Sequence, residues 1–132
     1  MNTATTRRLA ALGAAAAVTV PAFALVAAPA NAAYDIEKHK NCGNAQIELS
    51  VDREAGGFEV NADVDNATPG SRWRVVLRHD GTRIAKVNRR ADNEGDVEVE
   101  RWRRNSKGAD TFKMRATNRD TGTVCSLTIK TR

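Results

Sequence analysis

The stretch Phe58-Glu59-Val60-Asn61-Ala62-Asp63-Val64 decides the fold. Apolar and polar residues alternate strictly through it. Phe58, Val60, Ala62 and Val64 share one side; Glu59, Asn61 and Asp63 share the other. Successive side chains of an extended backbone leave on opposite faces, so a period of two marks a strand with one buried and one wet face. The same alternation recurs in both directions. Ile47, Leu49 and Val51 precede the stretch. Trp73, Val75 and Leu77 follow it, then Val97 and Val99, then Phe112, Met114 and Ala116, then Cys125, Leu127 and Ile129. No window beyond residue 33 keeps a helical period with caps.

Turn chemistry separates these runs. Gly56-Gly57, the segment 66–71, Asp92–Gly95, Asn105–Gly108 and Asn118–Gly122 all carry the small or polar residues that tight turns need. Asp80-Gly81 is the strongest hairpin signal, because a two-residue turn of the right hand requires positive φ at both positions. It joins a strand over 72–79 to a weaker one near 82–88, with Leu77 opposite Ile84 in the simplest register. Seven short strands at such spacing predict an all-β fold, an antiparallel β-sandwich occupying 44–132.

Residues 1–32 stand apart. Arg7 and Arg8 open the segment, an apolar run extends from Leu9 to Val26, and Ala30-Asn31-Ala32 supplies small residues for cleavage. That layout predicts a secretory signal peptide cut before Ala33, with the ordinary export route preferred over the twin-arginine one. Pro21 and Pro29 interrupt the run and no basic cluster follows it. Both features argue against a retained membrane span, and none is expected after cleavage. Residues 33–43 are expected to be an N-terminal arm. Removing Arg7 and Arg8 leaves 19 of the 21 basic residues against 16 acidic ones, a net charge of +3. So mild an excess speaks against a dedicated nucleic-acid binder. The two cysteines, Cys42 and Cys125, are expected to form one structural disulfide, since an exported chain meets an oxidising compartment and no C-x-x-C pair is present.

Asp110-Thr111-Phe112-Lys113-Met114-Arg115-Ala116-Thr117-Asn118 resembles the sixth strand of immunoglobulin-like and fibronectin type III-like domains. Trp73 stands where such folds place a core aromatic. The resemblance implies a seven-stranded immunoglobulin-like sandwich. Met114 occupies the place of the second cysteine in antibody domains, so their inter-sheet bridge is not expected. The Cys42–Cys125 bond would instead tie the lead-in of the first strand to the last. The layout of the whole chain resembles small secreted actinobacterial proteins, which implies no activity.

Catalytic patterns are weak. His39 lies in a polar stretch, and His79 is expected at a half-exposed strand end. No nucleophile elbow surrounds any serine. Asn61, Asp63 and Asp65 share one strand face, but Asn66 and Arg72 stand where a calcium loop needs Gly and Glu. No enzyme activity, metal or cofactor is expected. Basic and acidic residues mingle between residues 72 and 107, which predicts opposite-charge pairs across neighbouring strands. The two tryptophans differ in phase. Trp73 is in step with Val75 and Leu77 and should be buried. Trp102 is out of step with Val97 and Val99, so its ring should face solvent near Arg101, Arg103 and Arg104. These four residues are the candidate binding surface. The functional expectation is a secreted, monomeric, non-catalytic binding module for an extracellular protein or a cell-envelope polymer. The alternative is a secreted inhibitor or toxin-like effector acting through a loop such as 66–71 or 104–109.

Overall fold

The computed structural model describes residues 35–132; the expected signal segment, 1–32, lies outside the described residues. Eight strands follow in order: β1 (Asp35–Cys42), β2 (Ala45–Glu54), β3 (Gly57–Asp65), β4 (Arg72–His79), β5 (Thr82–Arg90), β6 (Glu100–Arg104), β7 (Thr111–Asn118) and β8 (Val124–Lys130). They build two antiparallel sheets, ordered β1-β2-β3-β6 and β5-β4-β7-β8, so the fold is an all-β sandwich. Among the described residues no helix is long and apolar enough to cross a membrane.

The alternation read from the chain is what fills the space between the sheets. Ile47, Leu49 and Val51 on β2 and Phe58, Val60, Ala62 and Val64 on β3 are fully buried. They meet Val75, Leu77, Phe112, Met114, Ala116 and Ile129 from the other sheet. Phe58 and Phe112 pack edge to face with centroids 5.4 Å apart, a geometry worth about 0.5–1.5 kcal/mol beyond the area it buries. Trp73 is 1% exposed, and its indole Nε1 donates to Ser71 Oγ at 2.9 Å. The indole N–H is thus satisfied where its ring is dry.

Three local expectations are corrected. The described residues form eight strands, not seven, because residues 35–42 of the expected arm are β1, paired with β2 from Asp35↔Asp52 to Cys42↔Ala45. The alternation there is hidden: the sandwich-facing positions are Ile36, Lys38, Lys40 and Cys42, so lysines stand where apolar residues would signal a strand. Lys38 Nζ donates to the Thr128 carbonyl at 2.9 Å. Inward-turned lysines on an edge strand also block pairing with another chain's edge. In the β4–β5 hairpin Leu77 pairs with Ala85, not Ile84, because a bulge between Leu77 and Arg78 shifts the register by one. The turn itself is as expected, with φ of 47° at Asp80 and 80° at Gly81. Finally, the strand expected around Val97 and Val99 begins at Glu100. Val97 still exchanges backbone bonds with Val64, but the Val99 N–H turns to Asp63 Oδ1 at 3.3 Å, which interrupts the ladder.

The expected Cys42–Cys125 disulfide is present, with Cα atoms 5.8 Å apart. It joins the end of β1 to β8, and so ties one sheet to the other.

Candidate binding surfaces

Strand β6 is the edge of its sheet, paired only with β3. Its register sets Trp102 opposite Glu59, Arg101 opposite Val60 and Arg103 opposite Phe58. Trp102 and Arg104 therefore share the outer face, while Arg101 and Arg103 stand on the core side of a strand that the other sheet does not cover fully. Trp102 is 51% exposed. Trp102, Arg103 and Arg104 line one cleft of about 410 Å³ together with His79, Asp80, Thr82 and Ser106. Arg101 lines a different depression, beside Asn61, Asp63 and Arg89. The structure thus brings together three of the four residues singled out from sequence.

The Trp102 ring does not float free. A Cβ built on Gly57 would lie 2.7 Å from Trp102 Cζ2 and 2.3 Å from the Arg103 carbonyl oxygen. Gly57 thus leaves the space in which the indole rests against the β3 backbone, an aromatic side chain covering a glycine in the adjoining strand. Gly57→Ala must push β6 away. Its expected effect is a loss of about 1–3 kcal/mol, as for other overpacked sites. Chemical denaturation measures that loss, and a red shift of tryptophan emission reports the displaced ring.

Behind Trp102 lies a polar cluster that sequence reading missed. His79 is buried, not half-exposed as expected, and its ring stacks on Phe112 with centroids 4.4 Å apart. His79 Nε2 lies 2.5 Å from Asp110 Oδ1 and 3.3 Å from Asp80 Oδ2. Asp110 Oδ1 also accepts the Ser106 N–H, and Asp80 accepts the Thr111 N–H and the Ser106 hydroxyl. Burial pushes the Asp110 carboxyl upward, but the hydrogen bonds from His79 and Ser106 outweigh it and hold the group below the usual carboxylate range. These His79, Asp80 and Asp110 atoms all lie within 4.8 Å of one another, the one such set of donors among the described residues that could share a cation. Their hydrogen bonds give them another role, clamping the β4–β5 turn to the loop before β7. Ser106 donates to Asp80 rather than to His79, so the cluster does not present a serine activated by a histidine. Asp110 Oδ2 and Arg103 Nε are buried without a hydrogen-bond partner. The opening Asp of the 110–118 stretch was the available signal for this cluster.

The largest departure from the sequence reading is the placing of charge. Instead of alternating between neighbouring strands, the charges on the strands are largely sorted by sheet. The outer face of β1-β2-β3-β6 is acidic. One transverse row runs Asp35–Asp52–Glu59, the next Glu37–Ser50–Asn61, and the one after it sets Glu48 and Asp63 side by side. The outer face of β5-β4-β7-β8 is basic. Arg83, Arg78 and Lys113 form one row, and Lys86, Val76 and Arg115 the next. Among the described residues of this basic face, only Arg72 is ion-paired to a carboxylate, with Asp120 at 2.6 Å. Sequence proximity misled because charges adjacent in the middle third fall on strands of different sheets.

Crowding on the acidic face has a consequence for pH. Burial raises Asp63 to about 6, opposed by the Val99 N–H and helped by Asp65, Glu98 and Glu48. Burial, a hydrogen bond with Asp35 and the charges of Asp35, Glu59 and Glu54 raise Asp52 to about 6. Glu48 and Asp65 shift upward for similar reasons. A carboxyl raised in the fold binds its proton more tightly folded than unfolded, so stability falls as pH rises from about 4 to about 6. Asp92, Asp110 and Asp120 shift the other way, and their contribution is lost only as pH drops through the lower carboxylate range. The melting temperature is therefore expected to be higher at pH 5 than at pH 7.5. Asp63→Asn should raise it at pH 7.5 and flatten the profile. Scanning calorimetry across this window checks both.

No protein-family model matches the chain, and no curated protein matches it.

Proposed function

We propose that this chain is an exported, non-catalytic binding module. It docks an extracellular protein or a cell-envelope polymer on the rim formed by β6 and the cleft behind it. One observation carries the reading: Trp102 is half exposed yet set against Gly57, with Arg103 and Arg104 lining the same cleft. A large aromatic already held in place loses little conformational freedom on binding, and Trp and Arg are the side chains most enriched among residues that dominate binding energy. Export is supported by the layout of residues 1–32 and by a bond between Cys42 and Cys125, which persists outside reducing compartments. The immunoglobulin-like or fibronectin type III-like resemblance is supported by β7, which runs from Thr111 to Asn118 beside the Trp73 strand. That architecture hosts many unrelated activities and lends none by itself.

A second reading, a secreted inhibitor or toxin-like effector acting on another protein, is favoured by the exposed loop 105–109, whose Ser106 forms part of the cleft wall. Both readings predict capture of a partner without turnover. The immobilised protein, offered culture fluid and envelope fractions, should retain one partner, released by salt if the arginines contribute. An envelope polymer supports the first reading; a single extracellular enzyme whose activity falls on capture supports the second. Turnover of an ester, peptide or glycan that is lost on His79→Ala would overturn both.

A further inference from the structure

We propose that the outer face of β5-β4-β7-β8 is a separate binding site, one that takes a linear phosphate polymer along its rows of arginine and lysine. The register places Arg83, Arg78 and Lys113 side by side on three neighbouring strands, with Lys86 and Arg115 flanking Val76 in the next row and Arg74 beyond. Outward positions on a strand repeat every two residues, roughly 6.7 Å, and neighbouring strands lie about 4.8 Å apart. Cations at these intervals can follow successive charges of an extended chain. Val76, Arg78, Lys113 and Arg115 also line a depression of about 190 Å³, so the face has a seat at its centre.

Fold stability does not account for this arrangement. Like charges directly opposite one another on adjacent strands are destabilising. Here Arg78 faces Arg83 on one side and Lys113 on the other. No aspartate or glutamate stands at an outward position of these four strands, although the chain carries 16 acidic residues. Nine of the acids stand on strands of the opposite sheet, where they repel a polyanion and favour its binding on the basic side.

The residue types narrow the ligand. Arginine matches phosphate bidentately, and it outnumbers lysine on this face. No aromatic ring stands among the outward residues of these strands, so there is no platform for stacking bases. The site therefore reads a phosphate backbone rather than a nucleobase. It is independent of the β6 rim, since Trp102 lies on the other sheet's outer face.

The test is titration of the disulfide-bonded protein with long-chain inorganic polyphosphate at low salt, beside Lys113→Gln/Arg115→Gln and Trp102→Ala. Wild type should bind saturably, and about four phosphate contacts should weaken binding ~50-fold between 50 and 200 mM salt. The double variant should bind at least ~10-fold more weakly, with a salt slope shallower by about 1.4 for two lost contacts. Its melting temperature without ligand should equal or exceed that of wild type. Trp102→Ala should bind polyphosphate like wild type, so failure of the rim reading and failure of this one are separable. The proposal is overturned if polyphosphate does not bind, or if the double variant binds it undiminished. It is equally overturned if polyglutamate binds as well as polyphosphate, or if an oligothymidylate binds more tightly.

Discussion

Replacing Cys42 and Cys125 together by alanine is expected to lower the free energy of unfolding by roughly 4–5 kcal/mol. The bond spans 83 residues, nearly the whole described chain, so its loss frees a very large loop in the unfolded ensemble. A domain of this size is typically stable by about 5–15 kcal/mol, so the bond supplies a large share. Location sharpens the expectation. Strand β1 buries little apolar surface of its own: Cys42 is buried, Ile36 is partly so, and lysines hold the positions between. Without the bond, β1 should open first, and its amides should exchange faster than those of β3 or β7. Urea unfolding of oxidised protein and of the double variant measures the loss. A difference under about 1 kcal/mol would mean that the two sheets hold together without help.

Trp73→Ala is expected to remove about 3–5 kcal/mol, the usual range for deleting a fully buried large aromatic. The side chain is the largest of those fully buried, and its removal also leaves Ser71 Oγ without its indole donor. Trp102→Ala should be far milder, because half of that ring already meets water. Two tryptophans in the same Arg-Trp-Arg setting should therefore differ several-fold in their effect on stability. Equal losses would show that strand phase is not what separates them.

Phase is also why much of this fold was legible. Where inward positions carry apolar residues, as from Phe58 to Val64 or Phe112 to Ala116, alternation alone located the strand and its buried side. It failed where the inward residues are polar. Lys38 and Lys40 disguised β1, and the Asp63 carboxyl that takes the Val99 N–H displaced the start of β6. The candidate rim was half legible. Trp102's exposure followed from phase, but its contact with Gly57 depends on the pairing of β3 with β6, which no local pattern states. The His79–Asp110 pair lies 31 residues apart and needed the fold to bring it together. The sorted faces were least legible of all. Each charge's side could be read, but the sheet each strand joins could not, so acid-base pairing was expected where segregation occurs.

The claim that this molecule acts by binding at the β6 rim is tested most directly by comparing wild type with Trp102→Ala in two measurements: capture of the partner and thermal unfolding. Truncating a residue that dominates an interface typically weakens binding by at least 2 kcal/mol, about 30-fold. The prediction is that loss of capture, with a stability change of less than about 1 kcal/mol. Full capture by Trp102→Ala, or a loss of capture matched by a large loss of stability, would contradict it.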